Sequence, residues 1–453
     1  MNTGSRRRFI KLALTTMAGL GWIPQVRAGS VPMSSDVVII GAGMSGLAAA
    51  KDLVAKGKGV ILLEAQSIIG GRTVTDRSLG LPLDLGASWI HGVNKNPISA
   101  IANSLNISTF QTNYDSIQRY DFDGRAITES EDSLVDANFN SLISGLSKAQ
   151  KQAKIDKSLA SSINSVISES IYTPFERRAI QYSINTEIEH DYAADVSRMS
   201  LKYWDQDSDF SGDDVIIKQG YSQITDYLVG GLDVRLSTIV QEINYGGSNV
   251  TIKTNNGVYS ATKVIVTVPL GVLKTGAIRF FPALPSVYSA AISRLGMGIL
   301  NKTYLRFPYR FWDGQEQLLG YIGLEQGQWA EWYDFQRITN QPILLGFNAA
   351  SFASTLEAYS DAQTVSSAMT VLRGIYGDSV PDPLGYKITR WGKNPFSLGS
   401  YSFIGIGSTP KDCDTLSKPI KSKIIFAGEH TNKTYIGTAH GAYLSGLNAS
   451  AQV

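Results

Sequence analysis

Three glycines near the start of the sequence are spaced for binding phosphate. They lie in the segment GAGMSG at 41–46, between the apolar run VVII at 37–40 and a segment with helical periodicity. The first glycine permits a tight turn, the second lets the backbone approach a pyrophosphate, and the third lets helix and strand pack closely. The N–H groups at the start of the helix would attract the phosphates. The residues predicted to bind are Gly41, Ala42, Gly43, Met44, Ser45 and Gly46.

An acidic residue lies where a ribose would be recognised. The apolar run VILLE at 60–64 ends in Glu64. A carboxylate there can accept hydrogen bonds from ribose hydroxyls, and it disfavours a 2′-phosphate. The glycines, both strands and the acid together predict a βαβ unit that binds a dinucleotide, without separating NAD from FAD.

The helix between those two strands is predicted from its apolar spacing. Leu47, Ala50, Lys51 and Val54 fall at i, i+3, i+4 and i+7, and Gly57 is a good helix stop. The apolar strand at 37–40 has no polar alternation, which is typical of a parallel strand that is buried on both faces.

Composition excludes several classes of protein. The chain has 453 residues, 43% apolar and 18% charged, which predicts two or three folded domains and excludes a disordered chain. Its single cysteine, Cys413, excludes an intrachain disulfide and a cysteine-rich zinc site. The formal charge of +2 gives no indication of a nucleic-acid partner. The four histidines have no metal-ligand spacing, and no metal is predicted.

The N-terminal segment is typical of an export signal. SRRRFIK at 5–11 is followed by an apolar run at 12–24 and by QVRA at 25–28, and the pair Arg6-Arg7 fits a twin-arginine signal. Residues 1–28 therefore predict a bacterial protein carried by the twin-arginine export machinery to the periplasm or outside the cell, with no stable membrane anchor. The alternative is an uncleaved anchor helix.

Several longer motifs together resemble one enzyme family, the flavin-containing amine oxidases. Polyamine oxidases, spermine oxidase and the related lysine-specific histone demethylase are especially similar, and the resemblance covers essentially all of the chain after the signal. The motifs that carry it are GGR at 70–72, LDLGASWIHG at 83–92, KQGYSQI at 218–224, STIVQEI at 237–243, RWGKNPFSLGSYSF at 390–403, IIFAGEHT at 424–431 and GTAHGAYLSGLNAS at 437–450.

The resemblance implies an α/β fold with two domains. One is a discontinuous, Rossmann-like FAD-binding domain, and the other is an α+β substrate-binding domain. The FAD-binding domain is expected at 36–100, 215–275 and 385–453, and the substrate-binding domain at 101–214 and 276–384.

The resemblance also implies how FAD is held. Arg72 would neutralise phosphate charge, although a surface ion pair is the alternative, and Glu429 would bind the ribityl chain. Ser400 occupies the place where monoamine oxidases carry the flavin-linking cysteine, which predicts non-covalent FAD. The cofactor-binding residues implied beyond the glycine turn are Glu64, Ala65, Gly71, Arg72, Gly86, Ala87, Ser88, Trp89, Val240, Trp391, Gly428, Glu429 and Thr438.

Three residues are expected to act on the substrate. Lys302 lies in NKTYLRF at 301–307, whose alternation is typical of a strand. Taken alone, Lys302 would be a surface lysine. The resemblance instead implies a buried lysine that holds a water against the flavin. Tyr401 matches one aromatic residue of the amine-binding cage, whereas Thr438 replaces the second. His91 would hydrogen-bond an amine.

The implied reaction is FAD-dependent oxidation of polyamines. Hydride transfer to the flavin would give an imine, then an aldehyde and an amine, while oxygen is reduced to hydrogen peroxide. Five aspartates at 205–214, with Glu187 and Glu189, are candidates for attracting the polycation, although a solvated loop also explains the aspartates. The alternatives are oxidation of a monoamine, an alkaloid-type secondary amine or an amino acid, and a non-catalytic flavoprotein.

Overall fold

The computed structural model describes residues 33–168, 170–312 and 314–453, and the predicted export signal at 1–28 lies outside them. The strands within them are β1 (Met33–Ile40), β2 (Val60–Leu63), β3 (Thr75–Asp76), β4 (Leu83–Asp84), β5 (Trp89–Ile90), β6 (Thr109–Gln111), β7 (Ile117–Asp121), β8 (Val215–Ile217), β9 (Asp233–Arg235), β10 (Val240–Asn244), β11 (Val250–Thr254), β12 (Gly257–Val266), β13 (Arg279–Phe281), β14 (Gly296–Met297), β15 (Leu300–Arg306), β16 (Leu318–Ile322), β17 (Glu331–Asp334), β18 (Ile343–Ala349), β19 (Gly385–Ile388), β20 (Ser402–Phe403) and β21 (Ile424–Phe426).

The α-helices within the same residues are α1 (Met44–Ala55), α2 (Pro97–Ser104), α3 (Glu129–Gln152), α4 (Leu159–Ser168), α5 (Pro174–Ile184), α6 (His190–Tyr192), α7 (Ser222–Val229), α8 (Leu270–Thr275), α9 (Ser286–Arg294), α10 (Gln336–Thr339), α11 (Ala350–Ala358), α12 (Asp361–Tyr376), α13 (Pro410–Leu416) and α14 (Ala439–Ser450). Short 3₁₀ turns lie at Gly71–Thr73 and Glu429–Thr431, and a π-helix lies at Asn185–Glu189. None of the described helices is long and apolar enough to cross a bilayer.

The largest sheet contains the predicted βαβ unit. Its strands follow the order β13-β10-β11-β12-β1-β2-β9, and β21 also pairs with β12. β1 is parallel to both neighbours, with Ile40 opposite Val266 on one side and Leu63 on the other. Parallel strands end at the same edge of a sheet, so Gly41 and Glu64 follow β1 and β2 side by side. The α/β fold with a Rossmann-like unit is therefore confirmed.

Helix α1 is buried on more sides than its apolar spacing predicts. Leu47 and Ala50 are fully buried, but Val54, predicted on the same face, is 41% exposed. The burial of further sides of the helix arises because α14 packs along α1 in addition to the sheet. The approach is close, since a Cβ on Gly446 would lie 2.1 Å from the backbone oxygen of Ser45.

A second sheet of six strands carries the predicted strand at 301–307, observed as β15. The order is β19-β15-β18-β17-β16-β7. Lys302, Tyr304 and Arg306 share one face of β15, as the alternation predicts. The Tyr304 hydroxyl donates to the carbonyl oxygen of Asp84 at 2.8 Å, and Arg306 donates to that of Leu79 at 3.0 Å. This face of the second sheet therefore contacts the segment around β4.

The two large sheets follow the expected two-domain division with two exceptions, and two smaller sheets, β5-β8-β6 and β14-β20, each pair strands from both predicted domains. β13 joins the large sheet although it lies in the segment predicted for the substrate domain, and β19 joins the second sheet although it lies in the segment predicted for the FAD domain. The domain boundaries themselves stay a prediction. Between the first and second predicted FAD segments, α3, α4 and α5 form a helical cluster packed through residues such as Leu142, Ile163 and Ile180.

Replacing Gly446 with alanine tests the contact between α1 and α14. We expect the free energy of unfolding, measured with denaturant, to fall by about 1–3 kcal/mol because the new methyl group meets backbone. Gly374 in α12 is the matched control: a Cβ there meets nothing within 4 Å, so Gly374→Ala should leave stability unchanged or raise it slightly. Wild-type stability in Gly446→Ala would contradict the close packing.

Candidate active site

A cavity of about 840 Å³ lies at the carboxyl edge of the large sheet and extends to β15 of the second sheet. Of the acids predicted to attract a polycation, Asp205, Asp213 and Glu189 do not line it. It is lined by all the residues predicted to bind the cofactor or to act on the substrate except Ala42 and Gly46. Those two act on the glycine turn itself. The backbone N–H of Ala42 donates to Glu64 at 2.7 Å, and a Cβ on Gly46 would lie 1.9 Å from the oxygen of Gly41.

The glycine turn leaves space and hydrogen-bond donors at the start of α1. Gly41 has a φ of +105°, which a side chain would strain. A Cβ on Gly43 would meet only the backbone oxygen of Gly70, at 3.8 Å, so the backbone is open to the cavity. Helix α1 has no side-chain cap and no acid in its first turn. Its N-terminal dipole and N–H groups are therefore available to an anion, as a pyrophosphate requires.

Glu64 is a buried carboxylate beside this turn. It is 5% exposed and accepts hydrogen bonds from the backbone N–H groups of Ala42 and Gln66, at 2.7 and 2.8 Å. Burial raises its pKa, and those backbone hydrogen bonds oppose the rise. Each carboxylate oxygen has more than one acceptor direction, so Glu64 can also accept from a ribose.

Arg72 contacts a carboxylate directly. Its guanidinium donates to Glu429 at 2.8 Å and to the backbone oxygen of Ser400 at 2.9 Å. Glu429 also accepts from the Ser402 hydroxyl at 3.0 Å and from the N–H of Gly437 at 3.1 Å. Burial acts to raise the pKa of Glu429, but the charge and hydrogen bond of Arg72 leave it below its usual value. Glu429 already balances the positive charge of Arg72. Compensation of phosphate charge by Arg72 therefore stays a prediction.

Lys302 is buried at the junction of the two sheets. It is 3% exposed, and its Nζ donates to the Ser88 hydroxyl at 2.5 Å and to the backbone oxygens of Gly86 and Asp84 at 2.6 and 3.2 Å. Trp89 lies 5.4 Å from Nζ, measured to the ring centroid. Burial lowers the pKa of Lys302 to about 8, against the opposing effect of the Asp84 charge. The lysine can therefore lose its proton near neutral pH, which a surface lysine does not.

The predicted aromatic residues are held in place by hydrogen bonds. The indole N–H of Trp391 donates to the backbone oxygen of Leu85 at 3.2 Å, and the Tyr401 hydroxyl donates to the backbone oxygen of His190. Thr438 caps α14, since its hydroxyl accepts from the N–H of Gly441 at 2.9 Å. The start of α14 therefore faces the cavity without a second aromatic ring at this position.

His91 and a group of acids form the outer part of the cavity. His91 Nδ1 lies 2.7 Å from the Asp214 carboxylate. We define the acidic wall as the carboxylates that line the cavity apart from Glu64 and Glu429, which are Glu187, Asp191, Asp207, Asp209, Asp214 and Glu331. Glu189 is not part of it, because its carboxylate is buried and accepts from Asn185 and Gln326.

The acidic wall contains crowded carboxylates. Burial and the like charge of Glu187 raise the pKa of Asp191 to about 7, and burial raises that of Asp207 to about 6. Asp191 and Glu331 were missed by sequence reasoning. Asp191 follows Glu187 by one helical turn, and that spacing was the available signal in the sequence. Glu331 lies in a short strand, and no sequence pattern indicated it. Such an arrangement is stabilised by cations, because each carboxylate disfavours ionisation of its neighbours.

Comparison with known proteins identifies the family. The sequence profile of the flavin-containing amine oxidoreductases matches residues 44–453. The chain belongs to this family. Family membership implies a flavin cofactor and an amine substrate, and the predicted resemblance to flavin-containing amine oxidases is confirmed.

Individual relatives from plants and human share about a third of their aligned residues with this chain. FLOWERING LOCUS D from Arabidopsis thaliana is 34% identical over 92% of this chain and 55% of that protein. Lysine-specific histone demethylase 2 from Homo sapiens is 34% identical over 93% of this chain and 53% of its own length. Polyamine oxidase 4 from Oryza sativa subsp. japonica is 34% identical over 91% of this chain and 87% of its own length. The chain thus spans about half the length of the first two relatives and most of the third.

The predicted export route is wrong. Residues 1–28 were interpreted as a bacterial twin-arginine signal, with a periplasmic or secreted location. The relatives named above are plant and human proteins rather than bacterial exported ones. A charged segment followed by an apolar run is a short and common pattern, and it carries less information than a match over the remaining chain.

The ion pair between Arg72 and Glu429 predicts a dependence of stability on pH. The pKa of Glu429 is lower in the folded chain than the ordinary value of 4.5, so its contribution is complete above about pH 4.5 and is lost as the pH falls through the folded value. We expect Glu429→Gln to lower the free energy of unfolding at pH 7 by about 3 kcal/mol, and to flatten its decline below pH 4.5.

The exposed pair of Arg279 and Glu242, 3.3 Å apart, supplies the control. Glu242→Gln should change the free energy of unfolding by no more than about 1 kcal/mol. Equal effects of the two substitutions in denaturant titrations would show that burial does not strengthen the Arg72 pair.

Proposed function

We propose that this chain is an oxidase of polyamines that uses non-covalently bound FAD and oxygen. Its products would be an imine, hydrolysed to an aldehyde and an amine, and hydrogen peroxide. The observation that supports this substrate class is the acidic wall, which places carboxylates at several points along one cavity. A substrate with several separated cations can pair with several of them, whereas a monoamine pairs with one.

The fit of FAD rests on the open glycine turn, the uncapped start of α1 and the remaining acceptor directions of Glu64. Non-covalent binding is supported by the position of the chain's one cysteine. Cys413 is fully buried in α13 and does not line the cavity. Ser400 does line it, and its hydroxyl is engaged with the backbone of Leu300 at 2.7 and 2.8 Å.

A bound flavin supplies a two-electron acceptor for the amine, and the chain supplies binding and proton control. The acidic wall binds the charged amines, and Tyr401 with Trp391 bounds the inner end of the cavity. Lys302, when protonated, has one N–H for each of its three oxygen acceptors. After it loses a proton, two N–H groups and a lone pair remain, so it can orient a water molecule in the cavity.

A panel of amines tests the substrate class. We expect kcat/KM for spermine and spermidine to exceed that for a monoamine of similar length by about tenfold or more, since one additional ion pair of about 1.4 kcal/mol corresponds to that factor. The measurements are hydrogen peroxide release, and bleaching of flavin absorbance on anaerobic mixing with each amine.

Other results would give other assignments. Preference for a monoamine, an amino acid or a methylated lysine peptide would refute polyamines as the substrate class while leaving an amine oxidase. A yellow protein that none of these compounds bleaches would be a non-catalytic flavoprotein.

Replacing Lys302 with methionine tests the role of the buried lysine. Methionine fills a similar volume without a proton, so we expect flavin to remain bound while reduction or reoxidation slows by about 100-fold. Stopped-flow absorbance measures the two half-reactions separately. Lys387→Met on the neighbouring strand β19, outside the cavity lining, is the control and should leave both rates unchanged. Wild-type rates in Lys302→Met would rule out the assignment.

A further inference from the structure

Asp214 is tied to His91 more closely than a member of a general acidic surface would be. It immediately precedes β8, and its carboxylate accepts three hydrogen bonds. One comes from His91 Nδ1 at 2.7 Å, one from the backbone N–H of Gly92 at 2.7 Å, and one from the Tyr114 hydroxyl at 3.0 Å. These donors fix both carboxylate oxygens, and the His91 ring is thereby held at one edge.

We propose that Asp214 is a positioning residue that keeps the hydrogen of neutral His91 on Nδ1, so that Nε2 is the acceptor offered to the substrate amine. This inference rests on the proposed function, because it assigns a part of the same cavity to handling the proton of the amine. The role belongs to Asp214 specifically, since no other carboxylate of the acidic wall makes a hydrogen bond to His91 in the described residues.

The tautomer follows from the chemistry of the pair. Burial acts to raise the pKa of Asp214, but the hydrogen bond and charge of His91 leave it below its usual value, so the carboxylate is ionised and can only accept. Nδ1 must then carry the hydrogen. His91 lines the cavity with 48% of its side chain exposed, which leaves Nε2 and its lone pair for a ligand.

A balanced proton step follows from this geometry. The N–H bond of a substrate ammonium group breaks and an Nε2–H bond forms, and the electron pair of the broken bond stays on the substrate nitrogen. The positive charge moves from the substrate to the imidazole ring, where Asp214 stabilises it. The amine is left uncharged, as its oxidation requires, and the total charge of the site does not change.

Several other groups face His91 and act on its charge. Asp191 comes from α6, Asp209 from the aspartate-rich segment at 205–214, and His440 from α14, while the Trp89 ring is stacked with the imidazole at a centroid distance of 6.5 Å. Partial desolvation inside the cavity acts to lower the pKa of His91, but Asp214 and the two other aspartates outweigh it and raise the pKa. Removal of the Asp214 charge should therefore lower it.

Selective ¹⁵N labelling of histidine makes the test direct, because the chain has four histidines and His91→Asn identifies one signal by its loss. In the holoenzyme we expect Nδ1 of His91 to be protonated and Nε2 unprotonated at high pH. Asp214→Asn should lower the pKa of His91 by about one unit or more. In the pH profile of kcat/KM for spermidine, His91→Asn should abolish one limb, which identifies the limb that depends on His91. In Asp214→Asn this limb should move to lower pH by the same amount as the pKa of His91.

The matched control is Asp213→Asn, which removes the same charge from the adjacent exposed residue outside the cavity lining. It should leave both the His91 titration and that limb unchanged. Tyr114→Phe offers a second variant if Asp214→Asn does not fold. It removes a competing donor from Asp214, so the pKa of His91 should rise.

The possible outcomes separate this inference from the proposed function. An unchanged His91 titration and tautomer in Asp214→Asn, or in Tyr114→Phe if only that variant folds, overturns the positioning role. A shifted titration with an unmoved kinetic limb also overturns it, because the pair would then be structural. If the wild type oxidises no amine, the proposed function fails on its own evidence, and the positioning role in that reaction fails with it.

Discussion

The site depends on one buried cation at the junction of two sheets. Lys302 extends from β15 of the second sheet to three oxygen atoms of residues 84–88, in the segment that follows the dinucleotide-binding unit. Burying an ammonium group is unfavourable unless its N–H groups find acceptors, and these oxygens supply them. The same contacts therefore lower the energetic cost of burying the lysine and fix the distance between the two halves of the cavity.

Charge is distributed unevenly along the cavity. At its inner end Lys302 is desolvated and tends to lose its proton, while Arg72 and Glu429 balance each other. At its outer end carboxylates crowd together, and burial with the like charge of Glu187 raises the pKa of Asp191. A cationic amine is therefore attracted at the outer end, whereas an uncharged amine is better tolerated at the inner end. This gradient suits a reaction that binds a charged substrate and oxidises it as a neutral amine.

Sequence reasoning predicted the residues that line the cavity better than their surroundings. The glycine turn and Glu64 could be predicted because their spacing has a direct physical reason, whereas a buried Lys302 was implied only by the family resemblance of its motif. The buried face of α1 could not be assigned fully, since Val54 fits the apolar period but is exposed. The partner of Arg72 was also beyond reach, because Glu429 is separated from it by most of the chain. The export signal failed because its pattern is short and its features are common.

The strand–turn–helix unit, the α/β class and the family resemblance could be predicted from the residues alone, because these depend on local spacing and on motifs that can be matched one by one. Which acids surround the cavity, and the hydrogen bond between Asp214 and His91, could be found only in the folded chain. Glu187, Asp214 and Glu331 come from different elements. Their separations along the chain carry no information about their distances in space, and only the packing of the π-helix, β8 and β17 around one cavity brings them to one wall.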